Sequence, residues 1–264
     1  MRILNFLFSR SKQEQDKPIR DKLKTRKDFE RVLAEDLDIM ETTKARMDTA
    51  KNINLYMYRS LSYSYILILQ SKYSVDAKID ELRDIYIKSM HYFLQAFNKR
   101  NPIYADILNY VSLGVLLNIP DNNFRQLIDY VKQMDKQAKP SGWTPDLLLW
   151  FMLNSRLKEQ EKLKYAETLA YPRLYNGLYK VIQAPNAAAA KDALNKYLDR
   201  WYNLNSDAPW YNSHLKDNSY RGYWAWEVAA VAKIMHIDDS DLKNNQYYPY
   251  DMVHWEDNET TAKE

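Results

Sequence analysis

Only four glycines occur in 264 residues, and they stand alone at Gly114, Gly142, Gly177 and Gly222. Average usage is about 7%, so the chain holds roughly a fifth of the usual supply of residues that tolerate positive φ. A phosphate-cradling loop of the Walker or dinucleotide-binding type needs clustered glycines and cannot be built here. Hairpin-rich β-folds lean on Asn-Gly, Asp-Gly or Gly-Gly turns, and none of these dipeptides occurs. The sequence therefore predicts an all-α protein, with N-terminal and C-terminal multi-helix halves packed into one compact helical protein.

The helix pattern supports this. Between Asp76 and Phe97, Ile79, Leu82, Tyr86, Met90, Phe93, Leu94 and Phe97 recur at steps of three and four, which buries one helix face. Phe124, Leu127, Ile128, Val131 and Met134 form a second stripe after Pro120, with Asp121 or Asn122 as cap. A third helix is expected from Thr144, with Pro145 in its first turn and Leu147 to Leu153 following. Two more are expected over Arg173 to Ile182 and Asn186 to Trp201, parted by Pro185. Asp28 to Tyr73 reads as one or two long helices that turn Phe29, Val32, Leu33, Leu37 and Met40 inward.

Turn-forming residues gather between Lys139 and Pro145, the expected domain boundary. The division is then an N-terminal extension (1–16), an N-terminal helical domain (17–139), a C-terminal helical domain (140–255) and a disordered tail (256–264). The apolar run Ile3 to Phe8 is too short for a secretory core and reads as a packed or frayed terminal segment. The apolar stretch around Ile66 to Leu69 is far below membrane-span length. Without cysteine there is no disulfide, thiolate nucleophile or cysteine-based metal site.

A net charge of +3 hides an asymmetry. From Arg2 to Arg31 ten bases face five acids, interspersed as on a solvated helix face, although the excess permits a nucleic-acid-binding reading. From Trp201 onward eleven acids face five bases. This surface would repel DNA and suit a basic partner. Asp217, Asp238, Asp241, Tyr247, Asp251 and Glu256 are the expected contact residues, an acidic surface with an aromatic anchor.

The run from Gly222 to Ile237 is apolar on nearly every side, as a helix at the centre of a core would be, with Gly222 opening it and Trp224 and Trp226 anchoring its neighbours. Glu227 within it could have a raised pKa and act as an acid or base, the basis of a hydrolase reading. No second carboxylate or histidine lies at a spacing that completes a site, so Glu227 is expected to be structural, paired with an arginine or tyrosine hydroxyls. Asp238 to Asp241 lacks the glycine and the twelfth-position glutamate of a calcium loop, and Asp238 or Asp239 is expected to cap a short helix containing Leu242. His91, His214, His236 and His254 show no zinc spacing. No cofactor, metal or catalytic residue is expected.

Three blocks, RWYNLNSDAPWYNSHL (Arg200 to Leu215), GYWAWEVAAVAKIMHIDDSDL and YYPYDMVHW, resemble the C-terminal domain of the PoNi proteins, immunity proteins to the PoNe polymorphic nuclease toxins. KYSVDAKIDELRDIY, Lys72 to Tyr86, is similar to that family's N-terminal helical domain. The sequence departs from the usual family pattern at Met235-His236, Tyr250 and Asn212. The resemblance implies a cytoplasmic, non-catalytic helical protein, monomer or homodimer, that touches neither nucleic acid nor membrane. It would bind a cognate antibacterial DNase, a type VI secretion effector, and occlude its DNA-binding or active-site cleft. It also implies that Trp224, Trp226, Asp239, Tyr248 and Pro249 build the scaffold.

Overall fold

In the computed structural model, residues 18–97, 103–136, 143–216 and 219–261 are described, with side chains to Glu256 and without that of Phe97. Among them there is no strand, and the fold is all-α. The Ile3 to Phe8 run, Gly142 and Asp217 lie outside the described residues. Ten α-helices follow in order: α1 (Arg26–Thr49), α2 (Leu55–Ser74), α3 (Ile79–Phe97), α4 (Tyr104–Leu116), α5 (Asp121–Lys136), α6 (Leu147–Asn154), α7 (Pro172–Ile182), α8 (Ala187–Leu204), α9 (Trp226–Met235) and α10 (Tyr250–Thr261). None of the helices described is long and apolar enough to cross a membrane.

The first compact unit holds α1, α2 and α3 together with Asn212–Tyr223, a strap from late in the chain. α1 starts at a reciprocal cap. Thr25 accepts from the Asp28 backbone, while Asp28 accepts from the Thr25 N–H at 3.0 Å and its hydroxyl at 2.6 Å. These bonds hold the Asp28 carboxyl below its ordinary range, and such caps contribute about 1 kcal/mol. The stretch read as one or two helices breaks between Thr49 and Leu55, where Asn54 caps α2 through the Met57 N–H. α2 packs between α1 and α3 and is therefore buried on two sides. Leu33 and Met40 meet Leu61, Tyr65 and Ile68 on one; on the other, the Ser89 hydroxyl donates to the Ser62 carbonyl at 2.7 Å and Tyr65 stacks on Tyr92.

From Ser219 to Tyr223 the strap is neither helix nor strand. Arg221 reaches Asp36 with two bonds, Nε to Oδ2 at 2.6 Å and Nη2 to Oδ1 at 2.9 Å. Its carbonyl accepts from the Ser74 hydroxyl at 2.9 Å. Tyr220 donates to Asp21 and packs on Phe29. Gly222 follows at φ 105°, a conformation that L side chains rarely adopt. It thus lies in the strap and does not open a helix: the helix expected from Gly222 begins at Trp226.

The second compact unit holds the described residues from Ile103 to Tyr211 and from Trp224 onward. At its centre α9 packs on α4. Ala229, Ala230 and Ala232 are buried against a helix whose Ile107, Val111, Leu113 and Leu116 are also buried, so small side chains let the two approach closely. α4 and α5 therefore belong to the same compact unit as the C-terminal helices, and the units divide at residue 98. Two expected boundaries shift. α6 begins at Leu147 and not in a turn containing Pro145, because Asp146 is the better cap and accepts from Leu149 N–H at 2.8 Å. The chain past Trp255 continues as helix to Thr261, where its polar composition suggested a tail; Glu256 is tied down by α9, as described below.

Candidate interaction surface

Of the six residues expected to form one acidic patch, the five described are dispersed, and three of them are paired with lysines. α8 carries Lys191, Asn195, Leu198 and Tyr202 on one face, at steps of four, three and four. Lys191 donates to Asp238 at 2.8 Å and lies 3.3 Å from Asp241, while Asn195 donates to Asp241 at 2.9 Å. The Lys191 bond, with the Ser240 N–H, holds Asp238 well below the usual carboxylate range. Asn195 first and Lys191 next depress Asp241. The turn expected at Asp238 or Asp239 is made by Asp238, whose carboxylate accepts from Ser240 N–H ahead of a 3₁₀ turn, Ser240–Leu242. The Asp239 side chain is instead buried, accepting from Tyr248 at 2.6 Å and bonded to His254 at 2.7 Å.

Glu256 lies elsewhere. It pairs with Lys233 at 2.9 Å and accepts from Asn118. Lys233 also donates to the Leu116 carbonyl at 3.0 Å, the acceptor shared by the Trp255 indole. The group thus closes the C-terminal end of α4, where a cation complements the helix dipole. Asp251 is exposed in the first turn of α10.

Tyr247 sits two to three turns along α8 from the aspartates. It stacks on Tyr202 at 5.3 Å between centroids and 4° between planes, and tilts against Trp201 at 5.5 Å. Tyr211 stacks on Tyr202 and Trp210 on Trp201, leaving four half-buried rings at the surface around a buried tryptophan.

Beneath them lies Glu227. Its Oε1 accepts from the Trp201 indole N–H at 2.6 Å. Burial pushes its carboxyl up to about 7. Tyr175, Tyr197 and Tyr104 stand close enough to feel its charge, and burial raises all three phenols. The partner is thus an indole, where an arginine or tyrosine hydroxyls were expected. Tyr104 donates instead to Asp146, at 2.8 Å. Trp224 and Trp226 are buried as expected, 6.1 Å apart. Among the described residues no group of three acids or histidines could hold a metal ion. His214 faces Tyr223 and His254 faces Asp239; neither is bonded to Glu227.

The sequence matches the family described as PoNe immunity protein (PoNi), N-terminal, over residues 11–129, and that described as PoNe immunity proteins (PoNi), C-terminal, over residues 144–252. The chain belongs to the PoNi family. PoNi proteins are immunity proteins to PoNe toxins. The two PoNi regions meet across residues 130–143, which bracket the Pro140-Ser141-Gly142 break although the packing units divide earlier. A crystal structure of protein PA2201 from Pseudomonas aeruginosa is similar in fold, with a TM-score of 0.67 at 18% identity over 96% of this chain and 93% of that one. Among curated proteins none matches this PoNi chain.

Two features escape the sequence reading. α4 shows no clean polar face, since it is buried nearly all round, so no stripe marks it. The acidic stretch AEDLDIME on α1, Ala34 to Glu41, holds four acids in eight residues and was visible as a charge run.

Proposed function

We propose that this protein binds a cognate secreted DNase toxin of the PoNe class in the cytoplasm of the cell that makes both, and blocks it by covering the cleft that admits DNA. The observation that carries the reading is the match to both PoNi regions, one after the other, from residue 11 to residue 252. The tasks of such a protein are affinity and orientation, and they need no catalytic centre of its own; Glu227, held by an indole among phenols, serves as a core residue. A nuclease must present basic groups to phosphates, so an acidic, aromatic-bearing face suits it: complementary charge speeds encounter and buried aromatic anchors supply affinity. Delivery of the toxin by a type VI secretion system belongs to the same proposal.

The C-terminal acids named from the sequence are weakened candidates for that face, because Lys191 and Lys233 cancel two of the three charges on Asp238, Asp241 and Glu256. Tyr247 is held in its ring stack with Tyr202 and Trp201.

The test is co-expression with the PoNe-class nuclease proposed as its cognate toxin, followed by purification of the pair. Growth rescue together with a stable complex that no longer cleaves plasmid DNA is expected. Rescue without a complex would overturn the binding mechanism, and a complex that still binds DNA would overturn occlusion.

A further inference from the structure

The groove between α1 and α2 is filled at one end only. At that end the strap lies over Phe29 and Asp36 of α1 and Ser74 of α2, inserting Tyr220 and Arg221. Along α1 the same face continues from Asp36 to Ile39 and Thr43, at steps of three and four. Along α2 it continues from Ser74 back through Leu67, Tyr63, Ser60 and Tyr56 at similar steps. Thr43 and Ser60 meet at 3.4 Å and mark the floor. Above that floor the strap is gone, and the apolar side chains are left in solvent: Ile39 is 51% exposed, Tyr63 63% and Tyr56 71%. Beside Ile39 on the outer face of α1 stand Glu35 and Asp38, both exposed and neither in an ion pair among the described residues. Arg59, between the two tyrosines, is engaged within the protein.

We infer that this open half of the α1–α2 groove, with Ile39, Tyr56 and Tyr63 as apolar anchors and Glu35 and Asp38 as its acidic rim, is the surface that docks the basic face of the nuclease toxin. The inference rests on the immunity reading and assigns its contact to the N-terminal unit. Two observations select the occupant. The strap displays what the groove accepts, a non-helical segment that places an arginine on an acid and an aromatic ring beside it. The rim acids lack lysine partners like those of Asp238, Asp241 and Glu256, so their field is available to a cationic surface.

The experiment is titration calorimetry and stopped-flow association of the full chain with the catalytically inactivated PoNe-class nuclease proposed as its cognate toxin. Glu35→Lys/Asp38→Lys is expected to slow association at least tenfold at low salt and to flatten its salt dependence. Ile39→Asp/Tyr63→Asp is expected to weaken affinity at least a hundredfold. Asp238→Lys/Asp241→Lys should bind within threefold of wild type. Because the groove residues are exposed, each variant is expected to melt as the wild type does. Hydroxyl-radical footprinting of Tyr56 and Tyr63 on the unaltered protein reads the same surface without substitution, with protection expected in the complex. Wild-type binding with unimpaired groove variants, or with unprotected Tyr56 and Tyr63, overturns this assignment alone. A wild-type chain that does not bind the nuclease overturns the immunity reading and this assignment with it.

Discussion

Arg221 and Asp36 are 185 residues apart in sequence and form a buried two-bond ion pair in the first unit. Both side chains are nearly inaccessible, so each charge depends on the other for compensation. Removing one partner of such a pair costs about 3–5 kcal/mol, whereas replacing both with apolar groups of similar volume costs far less. Asp36→Ala is therefore expected to lower the urea midpoint sharply, and Asp36→Leu/Arg221→Met to recover most of the loss. Equal losses in the single and double variants would show that the pair does not hold the strap.

The next residue, Gly222, makes a separate prediction. At φ 105° a Cβ clashes with its own backbone whatever space surrounds it. Gly222→Ala is expected to cost about 1–3 kcal/mol, the usual strain of a sparsely populated backbone region, and thermal unfolding measures it.

Gly177 is constrained for another reason. It lies inside α7, where alanine would gain about 1 kcal/mol of helix propensity. A Cβ there, however, would stand 2.7 Å from Cδ2 of Tyr197. That ring is buried and has no room to swing away. Overpacking costs about 1–3 kcal/mol, so Gly177→Ala is expected to destabilise. In a Tyr197→Leu background the same change should become neutral or stabilising. A double-mutant cycle in denaturant reads the sign directly.

What could be read locally was read well. The α5 stripe Phe124, Leu127, Ile128, Val131 and Met134 is buried throughout, and in α3 Ile79, Leu82, Tyr86, Met90 and Phe93 are buried while Leu94 is half-buried. Periodicity reports which face of a helix is covered but not by what. Nothing near Arg221 names Asp36 as its partner, and nothing near Gly222 distinguishes a strap from a helix start. The acidic excess after Trp201 stands in the sequence, yet Lys191 of α8 and Lys233 of α9 cancel two of the three charges on Asp238, Asp241 and Glu256 across the unit. Summed charge along a segment does not measure exposed charge when long-range pairing consumes it. The candidate face was for the same reason only half legible: its rim lay in a visible acid run, but its anchors show as a face only once α1 and α2 are paired.

Glu227 offers a test in which pH isolates one side chain. Burial raises its carboxyl to about 7, from 4.5 for a free side chain, so the folded protein holds a proton that the unfolded chain releases. Its contribution is fully present below about pH 4.5 and is lost as pH rises through 7; a shift of this size corresponds to about 3 kcal/mol. Asp21, Asp135 and Asp146 are also raised by burial, while Asp238 and Asp241 are depressed and contribute in the opposite sense. The wild-type curve alone therefore mixes several groups. Glu227→Gln keeps an oxygen acceptor for the Trp201 indole and cannot ionise. Relative to wild type, the Gln variant should gain about 3 kcal/mol between pH 4.5 and 8, measured as the difference between two denaturation series. A difference that stays flat across that range would place the Glu227 carboxyl in contact with water and remove burial as the cause of its shift.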